Sequence, residues 1–147
     1  MKLSTRSRYG LRAMLVLAMH DGDDPMMTKE IAERQNLPST YLEQLMLVLR
    51  KAGLVLATRG AKGGYVLAKQ SENITLADIV EALEGPLDIA DCADITNCCF
   101  ELDSCALKEV FTEANQALYD VFQRKTLAQL AQDQRTRELS KTPMYYI

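Results

Sequence analysis

The sequence predicts a mainly α-helical chain with one small β-hairpin and a long C-terminal helix. Two helix-forming segments, about 29–35 and 39–52, are separated by the turn-forming residues Asn36-Leu37-Pro38. Two β-favouring runs, about 54–58 and 65–68, flank a basic, glycine-rich tip. An apolar stripe then follows from about residue 105 to 123 at nearly heptad spacing. Together these features predict a winged helix-turn-helix followed by a dimerisation helix.

The composition is that of one globular unit. Of 147 residues, 48% are apolar and 25% are charged, which is ordinary for a globular domain with a real core. The apolar run Leu11–Met19 is too short to cross a bilayer and has no small-residue cleavage site after it. We therefore expect a helix there, and a cytoplasmic protein that is not an enzyme and has no membrane partner.

The charge is divided unevenly along the chain. The net charge is −3, yet residues 1–70 carry eleven Lys and Arg against six Asp and Glu. Residues 71–147 carry six against fourteen, which leaves +5 on the first half and −8 on the second. A basic half of this kind is typical of nucleic-acid binding, although an ordinary solvated surface is the alternative on charge alone.

The first helix is predicted from about Thr5 to His20. His20 lies at its end, where a histidine suits the negative end of the helix dipole better than it suits a ligand role. Its expected buried stripe has the spacing i, i+3, i+4, i+7 and consists of Leu11, Met14, Leu15 and Ala18.

Local capping signals bound the next helices. Thr28 is expected to cap the second helix, and Gly53 to end the third. Thr75 and Asp78 have capping-box spacing and predict a further helix over Leu76–Leu83.

The tip of the hairpin is the segment Arg59-Gly60-Ala61-Lys62-Gly63-Gly64. Arg59 and Lys62 provide positive charge, and the glycines let the backbone approach a sugar-phosphate chain closely. A phosphate-binding nucleotide loop is the alternative, but its Lys-Ser/Thr pair is missing. The segment is therefore predicted to be the wing.

All four cysteines lie within fifteen residues, spaced C-x5-C-C-x5-C. An iron–sulfur cluster suits thiolates on an irregular loop with wide gaps. Disulfides are disfavoured in a cytosolic chain, and zinc prefers closer ligand pairs. Metal-free redox thiols and inert packing stay open as alternatives. The candidate metal ligands are Cys92, Cys98, Cys99 and Cys105.

The long helix after the cysteines has an apolar stripe that is wide for a single-domain helix. Asp103 or Ser104 is expected to cap it, with Cys105 in its first turn near the positive helix end, which favours a thiolate. Packing on the N-terminal part is the alternative to a dimer seam. The residues assigned to the seam are Leu107, Val110, Phe111, Ala114, Leu118 and Val121. A short final helix is expected to begin at Thr126.

The chain resembles the iron–sulfur cluster regulator family of IscR and NsrR over roughly residues 1 to 131. The resemblance rests on Leu3-Ser4-Thr5-Arg6-Ser7-Arg8-Tyr9, Ser39-Thr40-Tyr41-Leu42-Glu43-Gln44-Leu45, Leu49-Arg50-Lys51-Ala52-Gly53-Leu54-Val55, Arg59-Gly60-Ala61-Lys62-Gly63-Gly64-Tyr65, Leu76-Ala77-Asp78-Ile79-Val80 and the cysteines. It implies a homodimeric transcription factor whose cluster state controls its binding to double-stranded operator DNA. The implied divisions are a DNA-binding domain at 1–85, a cysteine loop at 86–105, dimerisation and short final helices at 106–132, and a tail at 133–147.

The resemblance also implies roles for individual residues. Thr40, Glu43 and Gln44 would face bases and Arg59 would enter a minor groove, although Thr40 and Glu43 also have the spacing of a capping box. The full candidate DNA-binding set is Ser39, Thr40, Tyr41, Glu43, Gln44, Arg50, Lys51, Arg59, Lys62, Gly63 and Gly64.

The chain departs from the family pattern around the cluster. Cys92, Cys98 and Cys105 match the family's three cysteine ligands. The family separates its last two cysteines by five residues, however, and here only Cys99 and Cys105 have that spacing. Lys108 stands where the family has a histidine. Members of the family with a four-iron cluster take a carboxylate from near the start of the first helix of the partner subunit, and the corresponding positions here are Ser7 and Arg8. A two-iron cluster is favoured over a four-iron one. The fourth ligand stays open among Cys99, Glu101, Asp103 and an exogenous molecule.

Two alternatives to a cluster-controlled regulator stay open. One is a cluster-free thiol- or partner-sensing regulator of this fold, and the other is a small iron–sulfur or zinc protein that does not bind DNA.

Overall fold

The computed structural model describes residues 3–20, 24–60, 62–89 and 105–141. Within these ranges it contains six α-helices, one 3-10 turn at Ser71–Asn73 and one antiparallel hairpin, which confirms the predicted fold class. In chain order the elements are α1 (Thr5–Met19), α2 (Thr28–Gln35), α3 (Ser39–Lys51), β1 (Val55–Thr58), β2 (Gly64–Leu67), α4 (Leu76–Glu84), α5 (Ala106–Arg124) and α6 (Leu127–Lys141).

Helix α1 is the centre of the fold, and α2, α3, α4, α6 and β2 all contact it. Because neighbours cover it from several directions, its buried surface is wider than one stripe. Of the predicted stripe only Met14 is fully buried, and the other three residues are partly covered. Gly10 lies where α1 crosses α4, and a Cβ there would overlap the Leu83 side chain. The main core around α1 consists chiefly of Ala13, Met14, Val16, Leu17, Ile31, Leu42, Leu45, Met46, Leu49, Ile79 and Leu127.

The capping predictions had mixed outcomes. At α4 both bonds of the capping box form, from the Asp78 amide to Thr75 Oγ1 (3.1 Å) and from the Thr75 amide to Asp78 Oδ2 (2.8 Å). Thr28, in contrast, is the first residue of α2, and the cap position is held by Met27 without a side-chain bond. The predicted cap at Thr28 is therefore wrong. His20 is the C-cap of α1, as expected, and its amide donates to the Leu17 carbonyl (3.3 Å).

The C-terminal helices pack onto the N-terminal half. The Leu76 amide donates to the Lys125 carbonyl (2.9 Å), and the Leu127 amide donates to the Ile74 carbonyl (2.8 Å). Leu127 is fully buried in the main core, so α6 belongs to the same packed unit as α1. Helix α6 also continues to Lys141, which corrects the short helix and the tail expected from residue 133. The stretch 133–141 contains no glycine or proline to end it.

Candidate DNA interface and cysteine segment

The turn between α2 and α3 is fixed by backbone geometry and by α1. Asn36 adopts the left-handed conformation (φ 51°, ψ 51°), which ends α2. Arg12 on α1 donates through Nε to Gln35 Oε1 (2.9 Å) and through a terminal nitrogen to the Gln35 carbonyl (2.7 Å). Arg12 thus holds the last residue of α2, and with it the entry to α3, in a set position. In the sequence analysis, Arg12 contributed only to the positive charge of residues 1–70.

Helix α3 has one buried face and one polar face. Leu42, Leu45, Met46 and Leu49 point into the core. The opposite side is exposed, and it carries Ser39, Thr40, Glu43, Gln44, Leu47, Arg50 and Lys51. Six of the predicted DNA-binding residues are therefore brought together on a single helix face, because their positions follow the helical repeat.

The capping alternative for Glu43 is wrong. Helix α3 begins at Ser39 after Pro38, and no side chain caps it. Thr40 is thus the second helical residue rather than the cap, and Glu43 lies beyond the reach of a capping box. Within the described residues the Glu43 carboxylate has no hydrogen bond or ion pair and is exposed. It is available to a partner outside the chain.

Tyr41 has a structural role. It is half-buried, and its ring meets Tyr9 of α1 edge-on, with centroids 6.0 Å apart and planes at 75°. Aromatic pairs of this geometry stabilise packing beyond the area they bury. The ring of Tyr41 therefore helps to seat α3 on α1.

The wing is an antiparallel hairpin in the register Val55↔Leu67 to Thr58↔Gly64. The Met26 amide donates to the Tyr65 carbonyl (3.0 Å), and the Tyr65 amide donates to the Met26 carbonyl (2.9 Å). These two bonds attach the hairpin to the segment before α2. Arg59 and Lys62 are exposed near the tip.

The two glycines after Lys62 are required by the wing itself. A Cβ at Gly63 would overlap the carbonyl oxygen of Thr58, and one at Gly64 would overlap the carbonyl oxygen of Met26. Both obstacles are backbone atoms, which have little freedom to move. The structure thus gives these glycines a folding role, in addition to the DNA contact predicted from the sequence.

The cysteine segment is the predicted cysteine loop at 86–105, and both of its ends contact α5. Cys92, Cys98 and Cys99 fall outside the described residues, as do Glu101, Asp103 and Ser104. Cys105 is the N-cap residue of α5, one position before the predicted first turn; it is partly exposed, and its side chain makes no capping bond. On the other flank, the Ile89 amide donates to Asn115 Oδ1 (2.7 Å), and Asn115 Nδ2 donates to Asp88 Oδ1 (3.0 Å).

Helix α5 has one wide apolar stripe, and only part of it packs on the same chain. Leu118 and Phe122 pack on α4 and the turn after it, against Ala77, Val80 and Leu87. This corrects the assignment of Leu118 to a free seam, because it contacts its own chain. Leu107, Val110 and Val121 are 59%, 58% and 49% exposed, and Phe111 and Ala114 are partly covered.

The start of α1 contains no carboxylate for a metal. Ser7 is fully buried and Arg8 is exposed, with one terminal nitrogen donating to Thr5 Oγ1 (3.2 Å). A carboxylate does reach this end from α4, because the Ser4 amide donates to Glu84 Oε1 (2.8 Å). Hydrogen bonding by Ser4 holds the pKa of Glu84 below its ordinary value.

A helix-turn-helix braced by a third helix, with an exposed polar recognition face and a basic wing, defines a DNA-binding protein of the winged-helix class. The chain belongs to the Rrf2 family, described as iron-dependent transcriptional regulators, whose model matches residues 3–133. Within the described ranges, no helix is both long and apolar enough to cross a bilayer.

Individual relatives cover most of the chain. Protein rrf2 of Nitratidesulfovibrio vulgaris is 44% identical over 133 residues, which are 90% of this chain and 89% of that protein. The structure of CymR, described as the global cysteine regulator of B. subtilis, has a TM-score of 0.78 at 40% identity, and the match covers 90% of this chain and 97% of that one. The structure of T. potens IscR also has a TM-score of 0.78 at 40% identity, with 99% and 97% covered. The chain is therefore similar to regulators of transcription rather than to enzymes.

Proposed function

We propose that the protein is a cytoplasmic, homodimeric transcriptional regulator whose operator binding is controlled by an iron–sulfur cluster held by the cysteine segment. The observation that carries the proposal is that both flanks of this segment lie on α5, through Asn115 on one side and Cys105 on the other. Any change in the conformation of the segment acts first on that helix.

The DNA-binding part of the proposal rests on α3 and the wing. The start of α3 enters the major groove, where Thr40, Glu43 and Gln44 face base edges. Arg50 and Lys51, at the other end of the same face, contact phosphates. Phosphate contacts make binding strongly salt-dependent. The acidic sequence pI of about 5.2 does not prevent this, because the positive charge that contacts DNA is concentrated in the DNA-binding part of the chain.

The dimer part rests on the exposed apolar face of α5. Leu107, Val110 and Val121 belong to the same wide apolar stripe as Leu118 but remain exposed, because α4 covers only part of that stripe. A second copy of the chain covers this face in a two-fold arrangement, as binding to a symmetric or paired operator requires.

The donor set suits an iron–sulfur cluster. The partly exposed Cys105 thiol lies at the positive end of α5 and is not used as a cap, so it is available as a ligand. Cys92, Cys98 and Cys105 are the proposed ligands, with Cys99, a nearby carboxylate or an exogenous molecule as the fourth. We favour a two-iron cluster, because the family's carboxylate position near the start of α1 is taken by a buried serine or an arginine. When bound, the cluster would supply a redox-sensitive group that restricts the conformations of the segment.

A chain of contacts connects that segment to the recognition helix. Asn115 and Cys105 attach it to α5, and Leu118 of α5 packs on Ala77 and Val80 of α4. Helix α4 in turn contacts both α1 and α3. A ligand state that favours one position of α5 therefore shifts the population of DNA-competent dimers.

The test is anaerobic purification followed by visible absorption and by iron and sulfide analysis. We expect brown protein that loses its colour in Cys92→Ala, Cys98→Ala and Cys105→Ala, whereas Cys99→Ala keeps part of it unless Cys99 is the fourth ligand. Operator affinity, measured with loaded and unloaded protein, should differ. Protein that stays colourless after cluster reconstitution and contains zinc instead would overturn the cluster proposal.

A cluster-free regulator of the same fold is the second candidate. It is favoured by the similarity to CymR, which is described as a cysteine regulator. Iron-free protein that binds its operator, and changes affinity on thiol oxidation or on addition of a protein partner, would support this candidate instead.

A further inference from the structure

Helix α3 carries one apolar side chain on its polar face. Leu47 is 42% exposed, whereas Leu42, Leu45 and Leu49 of the same helix are buried. At 3.6 residues per turn, Leu47 lies in one row with Thr40, Gln44 and Lys51, almost opposite the buried side. Leu47 is thus near the centre of the helix face that contacts DNA in the proposed function.

Packing within the chain does not account for this leucine. The α3 residues that join the main core include Leu42, Leu45, Met46 and Leu49, and Leu47 is not among them. A single exposed leucine is ordinary on a free surface. On a helix that enters a groove, however, each outward side chain is desolvated by the nucleic acid and needs a partner of matching chemistry there.

The major groove has an apolar partner to offer. Each base edge presents donors and acceptors there, and thymine alone adds a methyl group, on C5. Leu47 has no polar atom in its side chain, so it gains from contact with that methyl and gains nothing from a cytosine or guanine edge.

We propose that Leu47 is a specificity-determining residue that contacts the C5 methyl of a thymine in each half-site. This inference rests on the proposed binding of DNA by α3. Leu47 lies four residues after Glu43, about 6 Å further along the axis, which corresponds to about two base-pair steps. The thymine should therefore lie within about two base pairs of the base that Glu43 contacts.

The experiment begins with selection of binding sites from random duplex DNA by the unmodified full-length protein. In the selected site each thymine is then replaced in turn by uracil, which keeps the base-pairing edge and lacks only the methyl. We expect one thymine per half-site at which the replacement weakens binding about fourfold, the value for burial of one methyl-sized group. Replacement in both half-sites of a symmetric operator should weaken binding about 16-fold, because the two contacts are independent.

The Leu47→Ala variant identifies the contacting residue. It should bind the unmodified site about as weakly as the unmodified protein binds the site with uracil in both half-sites. It should show no further loss of affinity when uracil is introduced. Alanine is a good helix former and the position is exposed, so the thermal midpoint should be unchanged. Leu139→Ala is the matched control, because Leu139 is a 77% exposed leucine on α6. It should keep the full response to uracil.

The outcomes separate this inference from the proposed function. Selection that enriches no site overturns the proposed DNA binding itself. An enriched site at which every uracil is tolerated, or at which Leu47→Ala remains as sensitive to uracil as the unmodified protein, overturns the role of Leu47 and leaves the proposed function standing. A lower thermal midpoint of Leu47→Ala with unchanged response to uracil shows that the residue is structural.

Discussion

The apolar face of α5 gives the sharpest test of the proposed dimer. Val110 is 58% exposed in the single chain, so replacing it by glutamate costs the folded protomer little. In a two-fold dimer the same change occurs twice in one interface. Val110→Glu should therefore separate the subunits without unfolding them.

The magnitude follows from burial. Full burial of a valine side chain is worth about 1.5–3 kcal/mol, and slightly more than half of that area is still free at Val110, so two copies lose about 2–3 kcal/mol. Desolvating two unpaired carboxylates adds several kcal/mol. A total of at least about 5 kcal/mol raises the dimer Kd by more than about three orders of magnitude.

Analytical ultracentrifugation at micromolar concentration, together with thermal unfolding, measures both effects. We expect a folded monomer for Val110→Glu and a dimer for Thr112→Glu, because Thr112 is an exposed polar position on the far side of α5. Leu118→Glu should lower the thermal midpoint, because Leu118 packs on α4 of its own chain. A Val110→Glu protein that remains dimeric would refute the proposed seam, as would an unmodified protein that is monomeric at this concentration.

Three further changes test the predicted DNA-binding domain and its stability. Arg59→Ala should weaken operator binding by about 1–3 kcal/mol and relax the preference for A·T at one position, measured on matched operators; equal losses on random DNA would make Arg59 a phosphate contact. Gly64→Ala should lower the thermal midpoint, since its Cβ overlaps the Met26 carbonyl that pairs with the wing; an unchanged midpoint would show that the wing is not held there. The lowered pKa of Glu84 means that its bond to Ser4 stabilises the fold above pH 4.5 and is lost as the pH falls through the folded-state pKa. The difference in thermal midpoint between the unmodified protein and Glu84→Gln should thus shrink from pH 6 to pH 3, and a constant difference would contradict this.

Several features that depend on residues a few positions apart were predictable from the sequence, although the cap at Thr28 was not. The capping box of α4 needs only Thr75 and Asp78, three residues apart, and both of its bonds form. The wing and the two helices of the helix-turn-helix also follow from local turn chemistry and side-chain period. The same logic placed the polar face of α3, because a face is fixed once the helix and its buried side are known.

Features set by packing between distant elements were not predictable in this way. The wide apolar stripe of α5 gave no sign that part of it packs on α4 of the same chain, so Leu118 was grouped with Val110. The buried surface of α1 was too narrow in the prediction, because helices from both ends of the chain cover it. Gly64 had an explanation in DNA binding from the sequence alone, and its second explanation depends on Met26, far away in the chain.

Asn115 shows how the two kinds of information combine. In the sequence it is a polar interruption between Ala114 and Leu118, and nothing in its neighbourhood assigns it a partner. In the structure its amide binds Asp88 and Ile89, while Cys105 lies ten residues earlier on the same helix, about 15 Å along the axis. The two flanks of the cysteine segment are thus fixed on one rigid element. In the proposed mechanism, a group bound between them would act on α5 from both flanks, and chemistry at the cysteines would thereby change the arrangement of the two DNA-binding domains in the dimer.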